Sequence, residues 1–324
     1  MKRLFGWLCV AVLAGSGCDR AGPQPVAEAV APALGEDGPA PTELPTPPLN
    51  LPVPSPMAAV QGERDFSKMG RDELSLIAQD ADEEGAFKVA LIAQYWAVRK
   101  GDDGYYDLAR YYARNSLTNA ALYWLQQAAL KTGADARQAD EDEDLATVRQ
   151  DPSYAAVAVF LRRCEAYWRT HGKSATLLYR PAGFNASKPT AIVVCLHGRG
   201  SRPDHFFGKT TQALADAIGI PIVSVSGTQP TGPKSFVWAV DAVKDQARLD
   251  AALKEISDRV TVAPGKIVAI GFSEGAQVAV ELAARDPARY AGAIAISPGA
   301  DFHLDKAQAT PADRKSTRLN SSHG

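Results

Sequence analysis

From about Phe66 to His171 apolar positions recur every three or four residues, the period of helices packed along one face. Leu74, Ile77, Ala78 and Ala81 make one stripe, and Ala90, Leu91, Gln94 and Ala97 the next. Gly101-Asp102-Asp103-Gly104 is a turn signal. Tyr105, Leu108, Ala109 and Tyr112 then mark a third helix, and Ala121, Leu125 and Ala128 a fourth that ends at Gly133. Asp151-Pro152 opens a last helix, Tyr154 to Thr170. After Gly172 the period changes. Thr176 to Tyr179 reads as a short strand, and Thr190 to Leu196 is the unbroken apolar run of a strand buried on both faces. A helix is expected over Phe206 to Ile218, a strand over Pro221 to Val225 and a long helix over Asp241 to Val260. A strand over Lys266 to Ile270, a helix over Glu274 to Ala284 and a strand over Ala291 to Ile296 follow. Strands alternating with helices at this spacing predict an α/β unit with a doubly wound, mostly parallel sheet, preceded by an all-α region.

The helical stripes resemble the tetratricopeptide repeat. Ala109, Tyr112, Ala121, Leu125 and Ala128 match its spacing without a gap, and the stripes before them match less regularly. The resemblance implies a repeat surface that takes a protein partner. Two repeats are fewer than a solenoid needs, which leaves a plain helical bundle open. The acidic run Asp140-Glu141-Asp142-Glu143-Asp144 reads as a solvated helix start.

Composition divides the chain further. Lys2-Arg3, the apolar stretch Leu4 to Leu13 and the small residues before Cys18 read as an export signal over residues 1–18, too short to span a membrane. Ala14-Gly15-Ser16-Gly17-Cys18 resembles a bacterial lipobox, which implies a lipid anchor on Cys18 in the cell envelope. Gly15 stands where a lipobox has Leu, so ordinary signal cleavage stays open. Residues 19–64 are rich in Pro, Ala, Gly and Glu and read as a disordered tether. The helical domain is expected over 65–171 and the α/β domain over 172–312. In the 324-residue chain 46% of residues are hydrophobic and the net charge is −2, which argues against nucleic acid as a partner. Cys164 and Cys195 read as small buried hydrophobes.

The chemistry enters at Gly271-Phe272-Ser273-Glu274-Gly275, between a strand and a helix. A strand, G-x-S-x-G and a helix form a nucleophile elbow, a turn so tight that the serine is strained and presented at the sheet edge. Ser273 is the candidate nucleophile. An oxyanion hole needs one N–H from the residue after the serine, here Glu274, and one from the loop after an earlier strand. That loop is His197-Gly198-Arg199-Gly200-Ser201, with the Arg199 N–H as the donor. Both residues are expected to act through the backbone, with Gly198, Gly271 and Gly275 in support and His197 as a structural loop residue. The Gly-rich loop lacks the lysine and spacing of a phosphate cradle.

These two motifs and their order make Thr176 to Ala300 similar to the α/β-hydrolase superfamily, on the side of phospholipase/carboxylesterases and polyhydroxybutyrate-depolymerase-like esterases. The resemblance implies a Ser-His-Asp hydrolase of small or lipid-like esters, without metal or organic cofactor. A serine peptidase is the alternative within enzymes, and a non-catalytic binding lipoprotein the alternative outside them. The pattern then departs from the family, which delivers its acid and histidine on later strands. Asp301 and Asp305 read as loop carboxylates, and His303 comes too early for the base. Residues 313–324, containing His323, look like the translation of a sequencing-library adapter. The expectation is an incomplete, inactive hydrolase fold whose native sequence runs to about Ala312.

Overall fold

The computed structural model describes residues 41–205 and 210–298. The export signal, Cys18 and the tail with Asp301, His303, Asp305 and His323 lie outside these residues. A two-residue hairpin, β1 (Val60–Gln61) and β2 (Arg64–Asp65), leads into the helices. These are α1 (Arg71–Glu83), α2 (Phe87–Arg99), α3 (Tyr105–Arg114) and α4 (Thr118–Lys131). The short α5 (Ala136–Glu141) and α6 (Ala146–Arg149) then lead to α7 (Tyr154–His171). Each of α1 to α3 packs on the next, and α7 packs on α4. Leu74, Ala90, Leu108, Tyr112, Leu125 and Ala128, taken from the sequence stripes, are fully buried among them.

Two expectations change here. The stretch from residue 41 to 64 is not a free tether. Leu49, Leu51 and Met57 pack on the helical core, and the buried Gln126 side chain accepts from Leu49 N–H at 3.0 Å. Gln126 Nε2 donates back to the Leu49 carbonyl at 3.4 Å. Composition underestimates this segment because its few apolar side chains find a core, and one buried amide satisfies both main-chain groups of Leu49. The acidic run is likewise more than a solvated helix start. Asp142 accepts the Asp144 N–H at 3.0 Å, and Asp144 binds Arg110 at 2.5 Å and Arg114 at 2.8 Å.

The second half holds β3 (Thr176–Tyr179), β4 (Thr190–Leu196), α8 (Thr211–Ile218) and β5 (Ile222–Val225). The hairpin β6 (Gln229–Gly232) and β7 (Ser235–Val237) comes next. It is followed by α9 (Ala242–Glu255), β8 (Val262–Phe272), α10 (Glu274–Arg285) and β9 (Tyr290–Ile296). The sheet order is β3-β5-β4-β8-β9, with β3 antiparallel and every other pairing parallel. Strand β4 shows why its sequence is unbroken. Ile192, Val194 and Leu196 face α9 and α10, whereas Val193 and Cys195 face α8. Both faces are covered, so neither is polar. Cys164 and Cys195 are buried and free. The α9 helix is shorter than its apolar pattern suggested, starting behind Asp241, which accepts the N–H groups of Val243 and Lys244. Residues 206–209, expected to begin α8, are not described.

From β4 the chain crosses to β5 on one side, and from β8 it crosses to β9 on the other. The carboxyl ends of β4 and β8 therefore open a crevice where the crossing direction reverses. The unforeseen β6–β7 hairpin binds this half to the helices. Its first strand is polar and contains Pro230 and Gly232, residues that mark turns rather than strands. Gly133, at φ +104°, lies so close to Gly232 that a Cβ there would sit 2.6 Å from the Gly232 Cα. Lys234 N–H donates to the Thr132 carbonyl at 3.0 Å, and Asp103 pairs with Arg202 at 2.7 Å and with Lys234 at 3.0 Å.

Glu165 on α7 is buried beside this junction and accepts the Ala136 N–H. Burial lifts its carboxyl from 4.5 to about 7. The folded state thus favours the protonated acid, and the stability it contributes at low pH is lost as pH rises through about 7. That shift corresponds to about 3 kcal/mol at most. In thermal melts, Glu165→Gln should therefore gain more over wild type at pH 8 than at pH 5. An equal difference at both pH values would contradict a disfavoured carboxylate.

Candidate active site

Strand β8 runs to Phe272 and helix α10 starts at Glu274, so Ser273 alone makes the turn. Its backbone is at φ 52° and ψ −120°, a region that residues with a side chain rarely enter. Two hydrogen bonds hold it there. Ser273 N–H donates to the Ile296 carbonyl on β9 at 3.0 Å, and its carbonyl accepts the Ala276 N–H at 2.9 Å. The flanking glycines are required by space. A Cβ on Gly271 would lie 2.0 Å from the Gly275 carbonyl oxygen. A Cβ on Gly275 would lie 2.3 Å from the Leu196 carbonyl oxygen and 2.5 Å from that of His197. Helix α10 thus packs through Gly275 directly on the end of β4.

The loop after β4 is brought to the same point. A Cβ on Gly198 would sit 3.3 Å from the Ser273 Cβ. His197 is buried, and its Nε2 accepts the Gly227 N–H at 2.8 Å. The proton therefore sits on Nδ1, which donates to the Gly198 carbonyl at 2.7 Å. Burial lowers the His197 pKa from 6.5 to about 4, and both ring nitrogens are taken by the backbone. The main-chain N–H groups of Arg199 and Glu274 have no acceptor among the described residues. No hydrogen bond joins an imidazole to Ser273 among those residues either.

The side chains of Arg199 and Glu274 meet as well, which the motif does not disclose. Arg199 Nη1 donates to Glu274 Oε1 at 3.2 Å, and Arg199 Nε donates to Asp135 of the helical half. Glu274 Oε2 accepts the Trp238 N–H at 2.9 Å, while Trp238 Nε1 donates to the His197 carbonyl at 2.9 Å. Burial raises the Glu274 pKa, partly offset by the Trp238 N–H and the Arg199 charge. Asp245 folds the segment that carries Trp238. Its buried carboxylate accepts from the Thr228 hydroxyl and from the N–H groups of Ala239 at 3.1 Å and Asp241 at 3.0 Å. Sequence reasoning missed Asp135, Trp238 and Asp245. Asp135 carries one legible signal, as the cap of α5, where it accepts the Gln138 N–H at 3.0 Å.

A polar cavity of about 630 Å³ opens between the helices and this loop, lined by Asp102, Asp103, Arg199, Arg202 and Lys234 among others. Ser273 does not line it.

No family model matches the chain. Over 116 residues it is 32% identical to NocK of Nocardia uniformis subsp. tsuyamanensis, an esterase by name. The match spans 34% of this chain and 33% of that protein, so the chain spans about a third of the relative's length. Among solved structures, the Bacillus cereus carboxylesterase is similar at 20% identity, over 43% of this chain and 68% of that one, with a TM-score of 0.30. The acetyl xylan esterase of Aspergillus awamori is similar at 17% identity, over 42% and 52%, with a TM-score of 0.31. At such scores the fold rests on the strand order and the elbow rather than on these likenesses.

Gly271→Ala should unfold the elbow, because the added carbon meets backbone rather than a movable side chain. A loss of roughly 3 kcal/mol or more is expected in urea denaturation. Gly292→Ala, where nothing lies within 4 Å of the new carbon, should stay within about 1 kcal/mol. Similar losses at both positions would refute the steric account.

The depressed pKa of His197 has its own signature. The neutral ring contributes stability that is fully present above 6.5 and lost as pH falls towards about 4. The destabilisation caused by His197→Gln should therefore shrink between pH 7 and pH 4.5. A constant difference in melting temperature would rule out the neutral, doubly bonded ring.

Proposed function

We propose that this chain belongs to a serine hydrolase of carboxylic esters, with Ser273 as the nucleophile and the N–H groups of Arg199 and Glu274 as the oxyanion hole. The observation that carries this reading is the conformation of Ser273. A φ of 52° costs about 1–3 kcal/mol, and the close packing of α10 on β8 and β4 holds the serine there. It turns the serine out of the strand at the carboxyl edge, ahead of the first turn of α10, where helix N–H groups favour negative charge. The 32% identity to an esterase-named protein supports the same chemistry over a third of the chain.

In the proposed reaction the Ser273 oxygen attacks the ester carbonyl carbon while its proton passes to a general base. The carbonyl oxygen gains the charge and is held by the two backbone donors. The C–O bond to the alcohol breaks, the alcohol leaves with the proton, and water releases the acid from the acyl-serine. In this fold the acid and the histidine follow the serine in the chain. His197 does not compete for the role of base, since its nitrogens are occupied. Export and a lipid anchor at Cys18 complete the proposal and favour an ester met at the cell envelope. The helical half offers a surface for a protein partner.

In the protein extended through the strands that supply the acid and the histidine, a fluorophosphonate probe should label wild type and leave Ser273→Ala unlabelled. Hydrolysis of a p-nitrophenyl ester should fall by several orders of magnitude in the same variant. Equal labelling of the two proteins would favour a binding protein built on a hydrolase scaffold.

A further inference from the structure

We propose that Asp135, in the helical half, is a positioning residue for the oxyanion hole of the α/β half. The inference rests on the function proposed above. Asp135 is 4% exposed, and its two carboxylate oxygens are divided between the halves. Oδ1 accepts the Gln138 N–H and caps α5, while Oδ2 accepts from Arg199 Nε. Arg199 in turn holds Glu274 at 3.2 Å, and Glu274 holds the Trp238 N–H at 2.9 Å. Trp238 closes the circuit on the His197 carbonyl at 2.9 Å, at the start of the loop that carries Arg199. Both proposed donors, at Arg199 and Glu274, are thus main-chain groups of residues whose side chains are tied to each other and to Asp135.

The chemistry of this circuit depends on Asp135. Without it, the buried Glu274 carboxylate would still attract the guanidinium, but the guanidinium would lose the carboxylate that fixes its Nε edge. Arginine orients a pair through its rigid fork, so losing one prong of the fork frees the rest. The loop would then shift relative to the elbow. Displacements of about 1 Å in such groups reduce turnover by about a hundredfold. The attachment of the halves does not depend on Asp135 alone, because Asp103 with Arg202 and Lys234, and Thr132 with Lys234, join them elsewhere. Docking and positioning can therefore be separated.

Asp135→Asn keeps the α5 cap and removes the charge that holds Arg199. Asp103→Asn weakens the junction away from the elbow and serves as the control. In the protein extended through the strands that supply the acid and the histidine, Asp135→Asn should lower kcat for a p-nitrophenyl ester by about tenfold to a hundredfold, with KM within about twofold. It should also speed amide hydrogen exchange over residues 197–201 and at Glu274. Asp103→Asn should leave kcat and that exchange unchanged. Equal loss of kcat in the two variants would reduce Asp135 to docking and overturn the proposal. If wild type hydrolyses no ester and takes no fluorophosphonate, the hydrolase reading fails, and exchange alone decides. Faster exchange in Asp135→Asn only would still establish positioning of the loop, and unchanged exchange would reject it.

Discussion

The backbone approach at Gly271 and Gly275 is the constraint from which the rest of the α/β half follows. Two residues without side chains let β8 turn straight into α10 and let α10 sit on the carboxyl end of β4. The distances of 2.0 Å and 2.3 Å that a Cβ would reach leave no room for adjustment, because backbone stands on both sides. Ser273 is then forced to φ 52°, and the bond from its N–H to the Ile296 carbonyl ties the turn to β9 as well. Three neighbouring strands thus meet at one strained residue. Such strain persists only where the surroundings over-determine it.

Around that point the polar groups form a closed set. Each buried carboxylate near the elbow has at least two donors: Asp135 has Gln138 and Arg199, Glu274 has Arg199 and Trp238, and Asp245 has three. Buried charge is tolerated only under such full satisfaction. His197 meets the same requirement as a neutral ring, with one nitrogen accepting and the other donating. A loop built this way has few alternative arrangements of comparable energy, and loops that hold reactive groups need that property.

The helical half is part of the same network. Gly133 against Gly232, and Gly172 against Pro230, bring the two halves within backbone distance, and Arg199 crosses the junction to Asp135. Here the arginine beside the elbow takes one of its two carboxylate partners from a helix cap about sixty residues upstream, a distance in sequence that loop-closure entropy alone makes unfavourable.

Much of this was legible in order along the chain. The period-3.6 stripes located α1 to α4, because each helix buries one face against the next, and Asp151-Pro152 located the start of α7. The unbroken run 190–196 announced a strand covered on both sides, and G-x-S-x-G between a strand and a helix announced the elbow. Both signals are local, since they depend on residues within one turn or one strand. The docked segment around Leu49 was hidden because its order comes from distant partners, Gln126 77 residues away and the helical core under Leu51 and Met57. The β6–β7 hairpin was hidden because its residues are turn formers whose pairing is stabilised by α7. Sequence by itself determined which backbone must bend at Ser273 and which two glycines flank it, since those follow from glycine sterics and chain order. Only the tertiary structure decided which charges face one another there. Asp135, Arg199, Glu274 and Trp238 are distant in the chain, and ion pairing leaves no periodic trace in a sequence.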